Sequence, residues 1–347
     1  MQLPPPGGKP GGGSGTPKPP RTKRRRRWIW RAVLALFLAW IIFLVAVPLW
    51  AWSKIDKVDA SPSGSRPADQ PGTTYLLVGS DSRKGLDAQQ RKQLHTGKAS
   101  GQRTDTIMLL HTGSGPSLLM SIPRDSLVPI PGHGTTKINA AFAYGGPKLL
   151  VKTIEQDTGI RVDDYIEVGF GGFVNVVDAV GGVQICPHGP VQDRRAGLHI
   201  TRSELDSHGC LHAGGITALG YARSRHAFAL SDIARIEHQR QVVSAIAAKA
   251  ASWRSLVDPV RYFNLTDAAV SSLTVGDNVG PLDLARFVWA IAHVTGGSGL
   301  NCSVPISDLA VHWDPTRSKQ LFNYIKQDRT KDIPKGLCTK TGISGHG

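Results

Sequence analysis

The sequence predicts an α/β fold: a single three-layer α/β/α domain with a central mixed sheet, preceded by one transmembrane helix. Three observations lead there. A long apolar run without charge stands near the N-terminus. Beyond residue 73, short apolar runs alternate with longer segments of helical spacing. The alternation continues without an internal repeat or a break in composition, so one domain is expected, its sheet covered on both faces.

The N-terminal part sets the topology. Residues 1–20 are rich in Pro, Gly and Ser and hold too few apolar side chains to offset the entropy of ordering. Residues 1–31 carry nine Lys or Arg and no acid, and read as a disordered basic tail. From Ala32 to Trp52 there are 21 residues without a charge. As a helix they would span about 30 Å, the hydrocarbon thickness of a bilayer. Trp28, Trp30, Trp50 and Trp52 flank the run as an interfacial aromatic belt. The positive-inside bias then puts residues 1–31 in the cytoplasm and everything after 52 outside the cell membrane.

A cleaved signal peptide is the competing reading. The run is longer than a signal's apolar stretch, and Trp50 and Trp52 stand where small residues would be needed. Beside such a run the basic tail reads as topology and anionic-lipid contact, and no nucleic acid is expected as a partner. Nine of the fifteen net positive charges belong to the tail, which leaves +6 for the rest. That balance suits an anionic ligand.

Residues 53–72 are polar and Pro-rich and read as a linker, 73–335 as the folded domain and 336–347 as a C-terminal tail. Within the domain, Tyr75–Val78 reads as a buried strand ending in a Gly-Ser-Asp turn. Asp105–His111 and Ser117–Pro123 repeat that form around a Gly-Ser-Gly-Pro turn, which suggests a hairpin. Residues 147–159 have helical spacing, with Pro147 in the first turn and Gly159 as the stop. A strand over 165–170, a helix over 171–182 and a strand at Val183–Pro187 follow, then a loop over 187–212. Helices are expected at 214–225, 231–252, 282–294 and 318–327.

Four cysteines, Cys186, Cys210, Cys302 and Cys338, lie in the external part, where disulfides persist. Three pairings exist, and we favour the local one, Cys186–Cys210 with Cys302–Cys338. No CxxC spacing supports zinc.

The chain has no Walker-type phosphate loop, HExxH, GxSxG or GxGxxG. Its notable feature is where Arg and Asp fall. Asp81 follows a strand, Arg103 and Asp105 precede one, and Arg124 and Asp125 follow another. Arg223 and Arg225 stand in a turn after a short helix. Asp232, Arg235 and Gln239 are spaced i, i+3, i+7 on the long helix, with Arg240 next in line. Ligands of open α/β sheets bind at strand ends. Guanidinium forks match phosphate oxygens, and Mg²⁺ favours one or two carboxylates together with substrate phosphate. The set therefore suggests a pyrophosphate and a divalent cation, against a plainer reading as surface ion pairs.

The stretches YLLVGSDSR, GQRTDTIMLL, SIPRDS, KINAAFAYGG, VDAVGGV, ALGYARSRH and SDIARIEHQRQVV resemble the ordered motifs of the LytR-CpsA-Psr family. The likeness covers about residues 73–250 and weakens toward 330. It implies an extracellular phosphotransferase that moves a glycopolymer from a polyprenyl-pyrophosphate carrier to a peptidoglycan hydroxyl. By motif position, Asp81 and Asp105 would hold Mg²⁺ (or Mn²⁺). Arg103, Arg124, Arg223, Arg225, Arg235 and Gln239 would bind pyrophosphate, with Lys137 and Asn139 nearby; Arg103, Asp105 and Arg124 are the candidates for catalysis. The partners implied are the lipid-linked glycopolymer, peptidoglycan and the bilayer. Hydrolysis of the carrier pyrophosphate and non-catalytic binding of a lipid carrier remain alternatives. Two departures stand out: a longer stretch between Asp81 and Asp105, read as a flexible loop at the site mouth, and Ser-Asp-Ile-Ala-Arg where the family pattern often has Gly-Asp-Phe-Gly-Arg.

Overall fold

A computed structural model describes residues 21–82, 86–94, 104–224, 231–250, 252–308 and 310–343, the side chains of 21–25, 231–236 and 256 excepted. The chain divides into two compact units, Met1–Ala46 and Val47–Gly347. Helix α1 (Arg21–Trp52) supplies the described part of the first. Its stretch Arg26–Trp52 is long and apolar enough to cross a membrane. Side chains such as Leu36, Phe37 and Ile42 are exposed along it, as lipid-facing residues would be.

The second unit begins with the last turn of α1 and continues through β1 (Asp56–Val58), β2 (Thr73–Ser80), α2 (Ala88–Gln93), β3 (Thr104–Thr112) and β4 (Leu118–Ile122). A hairpin of β5 (Leu127–Ile130) and β6 (Gly134–Lys137) leads to α3 (Asn139–Thr158), β7 (Asp164–Val168) and α4 (Phe170–Ala179). Four short strands follow, β8 (Val183–Ile185), β9 (Val191–Asp193), β10 (Leu198–Ile200) and β11 (Leu211–Ala213), then α5 (Gly215–Arg223) and α6 (Ser231–Ala250). The chain closes with α7 (Trp253–Val257), α8 (Pro259–Ser272), β12 (Leu273–Gly276), α9 (Pro281–His293), β13 (Leu300–Ser303) and α10 (Arg317–Lys326).

Seven strands form one mixed sheet in the order β1-β12-β7-β2-β3-β4-β13. β7 runs parallel to β2, and β3 runs antiparallel to both β2 and β4, while β13 runs parallel to β4. The C-terminal ends of β2, β4, β7 and β13 therefore share one edge, with the start of β3 among them.

Alternation along the strands explains the layers. Leu76 and Val78 of β2, Ile107 and Leu109 of β3, and Met120 and Ile122 of β4 bury on one face, against Leu150 and Ile154 of α3 and Leu321 and Ile325 of α10. Their neighbours Tyr75, Leu77, Met108, Leu110 and Leu119 bury on the other face, with Phe287 and Ile291 of α9. Because side chains alternate with period two, continuous apolar strands require a cover on both sides. A further apolar cluster joins β8–β11 to α4, α5 and α6.

Several elements differ from expectation. α3 starts at Asn139 rather than 147: it breaks at Gly145 and Gly146, the latter at φ 62°, and resumes at Pro147. Gly tolerates that left-handed φ, and Pro suits a first helical position, so the sequence marks the restart more clearly than the start. The expected loop 187–212 holds the β9–β10 hairpin and runs into β11. The expected linker belongs to the folded unit: β1 pairs with β12, and the Arg66 guanidinium grips Glu155 at 2.6 Å and donates to the Val162 carbonyl. The expected C-terminal tail is likewise held. Thr339 O accepts from Ser303 N at 2.8 Å and Gly342 O from Ile306 N at 3.0 Å, so it runs beside the β13 segment. Between Asp81 and Asp105, residues 88–93 form α2 with a capping box at Asp87. Disulfides join Cys186 to Cys210 and Cys302 to Cys338.

Candidate active site

The shared sheet edge carries Asp81, Asp105 and Arg124. In the β3–β4 ladder Ile107 pairs with Ile122. The ladder ends there: Asp105 lies two residues earlier on β3, at the register shift against β2, and Arg124 two residues later, in the turn after β4. Arg124 Nη1 donates to Asp105 Oδ1 in a close ion pair. Its Nε also reaches Asp125 Oδ2 at 3.4 Å, and Lys137 Nζ bonds Asp125 Oδ1 at 2.7 Å. Asp105, Arg124, Asp125 and Lys137 thus form one chain of alternating charge. Asp105 and Arg124 keep 28% and 14% of their side-chain surface, open enough for a ligand to compete for the guanidinium.

The turn carrying Arg124 is held from two sides. Ser126 N closes it on Pro123 O at 3.0 Å. From the start of α3, Ile138 N donates to Ser126 O and Asn139 N to Arg124 O. From the segment before α10, Trp313 Nε1 donates to Ser126 Oγ at 2.9 Å. Asn139 therefore acts here through its backbone, fixing the Arg124 turn.

Asp81 leaves β2 beside this pair. Ser80 pairs with Thr104 across a register shift after Gly79, so Asp81 and Asp105 extend from adjacent strand ends. Phe170 N donates to Ser82 O at 2.9 Å, which ties the Asp81 turn to the start of α4. Arg223, at the last turn of α5, lies over the Phe170 ring at 4.8 Å and donates to Leu94 O at 2.8 Å. It thus stands near the Asp81 end of the edge. Arg103 and Arg225 lie outside the described residues. Arg235 is placed by its backbone on α6, its side chain outside the description. Gln239 is buried on the same helix.

Two residues have roles that sequence reasoning left unassigned. Asp125 bridges Arg124 to Lys137, and its adjacency to Arg124 was the available signal. Arg240 serves the fold. Its guanidinium is buried and donates to Ser121 Oγ at 3.1 Å, Ser303 Oγ at 3.0 Å, Lys340 O at 2.9 Å and Cys302 O. It locks α6 across the ends of β4 and β13, and burial pushes its pKa down to about 10.

Among the described residues, no cluster of three or more His, Cys, Asp or Glu could hold a metal through protein ligands alone. The chemistry of Asp81 and Asp105 still fits Mg²⁺, which takes hard carboxylate oxygens from the protein and fills its shell with phosphate and water.

These features define a three-layer α/β/α protein with an apolar N-terminal helix and arginine–carboxylate chemistry at one sheet edge. The LytR_cpsA_psr family profile matches residues 51–287. The chain is 42% identical over 295 residues to the probable cell wall biosynthesis protein LcpB of Corynebacterium glutamicum, covering 82% of this chain and 68% of that protein. It is 31% identical over 257 residues to the polyisoprenyl-teichoic acid–peptidoglycan teichoic acid transferase TagU of Oceanobacillus iheyensis, covering 67% and 73%. The solved LytR-Csp2A-Psr enzyme from Actinomyces oris has the same fold, with TM-score 0.63 at 20% identity over 78% of this chain and 96% of that one. The chain belongs to the LytR-CpsA-Psr family.

Proposed function

We propose that the protein transfers a glycopolymer from a polyprenyl-pyrophosphate carrier to a peptidoglycan hydroxyl, leaving a phosphodiester link. The observation that carries this reading is the Asp105–Arg124–Asp125–Lys137 chain at the shared strand ends, beside Asp81. Relatives named as cell wall biosynthesis protein and as teichoic acid transferase support it. α1 anchors the protein, with the basic tail in the cytoplasm and the catalytic unit outside, in line with the positive-inside bias.

In this reading Arg124 turns its fork from Asp105 to the carrier's phosphate oxygens, joined by Arg223, Arg103, Arg225, Arg235 and Gln239. Lys137 adds positive charge at the rim. Asp81 and Asp105 would hold one Mg²⁺ (or Mn²⁺), which supplies neutralisation of charge building on the phosphates. The acceptor oxygen forms a bond to the sugar-side phosphorus. The bridging P–O bond breaks, polyprenyl phosphate departs with the bridging oxygen, and the hydroxyl proton is released. Such a reaction depends on positioning and charge stabilisation, which this residue set provides.

Polymer transfer by the purified full chain, measured with defined lipid-linked donor and peptidoglycan, tests the assignment. Chelation should abolish transfer and Mg²⁺ or Mn²⁺ should restore it, while Asp81→Ala should raise the cation concentration required. Full activity in chelator would overturn the metal part of the proposal. Full activity of both Asp105→Ala and Arg124→Ala would overturn the site.

A further inference from the structure

The face of the folded unit around the end of α1 is apolar and open. Val47–Trp52 belong to this unit, and Ala51 and Ile55 bury in one cluster with Val270 of α8 and Phe287, Ala290 and Ile291 of α9. Trp50 stacks on Phe263 of α8 at 5.5 Å. The last turn of α1, which belongs to this unit, therefore packs against α8 and α9.

Both helices also carry exposed apolar side chains. Val260 and Phe263 form a stripe on α8, continued by Trp253 and Val257 of α7; Trp253 is 67% and Val260 67% exposed. On α9, Leu282 and Trp289 lie seven residues apart at 71% and 65% exposure, with Val288 beside Trp289. The other side of α9 buries Phe287, Ala290 and Ile291, so this helix is apolar on two sides. Soluble surfaces rarely keep such a concentration of exposed tryptophan and aliphatic residues without a partner.

Cations border the patch. Lys54 Nζ lies 3.7 Å over the Trp50 ring and Lys57 Nζ 5.3 Å over Trp52, while Arg254 lies 6.0 Å over Trp253. Tryptophan capped by a basic side chain is the pattern of a headgroup interface, where the ring seats and the cation reaches phosphate. Farther along α8, Asn264 and Asp267 are exposed and the apolar stripe ends.

We propose that α7, the first half of α8 and the outer side of α9 form a second membrane contact, seated in the lipid interface beside the anchor. The occupant is the bilayer itself, because the patch is continuous with the residues at which α1 ends. Two attachments fix the orientation of the unit where one helix alone would leave it to swing. The proposal rests on the reading of α1 as an anchor.

The test uses the full chain in lipid nanodiscs. The native cysteines are all in disulfides, so Val260→Cys and Leu282→Cys each offer one site for an environment-sensitive fluorophore. Lys319→Cys and Asn323→Cys, exposed on α10 across the sheet, serve as controls. With acyl-brominated lipid the two patch probes should lose about half their emission, since an apolar helix face beds roughly 5–10 Å below the headgroup boundary. The controls should lose almost none. Equal quenching at patch and control positions overturns the proposal. So does a patch probe insensitive to bromine but shielded by a second copy of the chain. Failure of the chain to enter nanodiscs contradicts the anchor itself, and the second contact falls with it.

Discussion

Asp105, near the start of β3, and Arg124, in the turn after β4, form an ion pair through their side chains. The pair is partly exposed, so it adds about 1 kcal/mol or less to stability. Its value lies in holding a guanidinium and a carboxylate at the point where two strands end. Arg124→Ala should cut transfer by about 10²–10³-fold while changing unfolding stability by no more than about 1 kcal/mol. Arg124→Lys should recover part of the rate, because it keeps the charge and loses the fork. Steady-state rates beside urea unfolding curves check both.

Arg240 makes the opposite prediction. Its donors satisfy Cys302 O, Lys340 O and the hydroxyls of Ser121 and Ser303 in a buried setting. Arg240→Met removes these bonds and leaves the acceptors dry. Unfolding stability should fall by about 2–4 kcal/mol, as expected for buried acceptors losing a charged donor. Equilibrium unfolding with the disulfides intact measures this.

Asp157 gives a pH dependence. Its Oδ2 is buried without a hydrogen-bond partner, and burial pushes the carboxyl up to about 7. The folded protein keeps a proton that the unfolded chain releases near pH 4. This group's contribution is therefore fully present below about pH 4 and is lost as pH rises through about 7. Asp157→Asn should raise the melting temperature at pH 8 and leave it nearly unchanged at pH 4. Melting curves at the two pH values read the difference.

His238 works in the reverse sense. Its ring stacks on Tyr221 at 4.1 Å, and burial pushes the imidazole down to about 4. The unfolded chain takes up a proton near pH 6.5, so this residue's contribution is present above that and is lost as pH falls toward 4. His238→Phe keeps a ring against Tyr221 and should flatten the acid limb between about pH 6.5 and 4.

The sequence made some of this architecture legible and hid the rest for identifiable reasons. Strands β2, β3 and β4 showed as short apolar runs, Tyr75–Val78, Ile107–Leu110 and Leu118–Ile122, bounded by polar turn residues, so Asp81, Asp105 and Arg124 could be placed at strand ends. β1, β12 and β13 have three or four residues each, too few for a period of two to appear. α8 was not among the expected helices, although Asp258, which caps the backbone N–H groups of Val260 and Arg261, and Pro259 at the first position mark its start. The neighbouring Arg240 and Gln239 looked alike in composition. Adjacent residues on a helix diverge by about 100°, so one turned into the sheet ends and could not be assigned from spacing alone. Asp125 stood in plain view beside Arg124, but its bond to Lys137 depends on the β5–β6 hairpin folding back.

The central claim is that the sheet edge joins a carrier-linked glycan to peptidoglycan through phosphate. Phosphorus NMR of the product tests it most directly, after incubation of the full chain with a polyprenyl-pyrophosphate-linked glycan, peptidoglycan and Mg²⁺. The account predicts a phosphodiester resonance on the peptidoglycan and one equivalent of polyprenyl phosphate, both absent with Arg124→Ala. A glycan phosphomonoester formed at the same rate with and without peptidoglycan would contradict it.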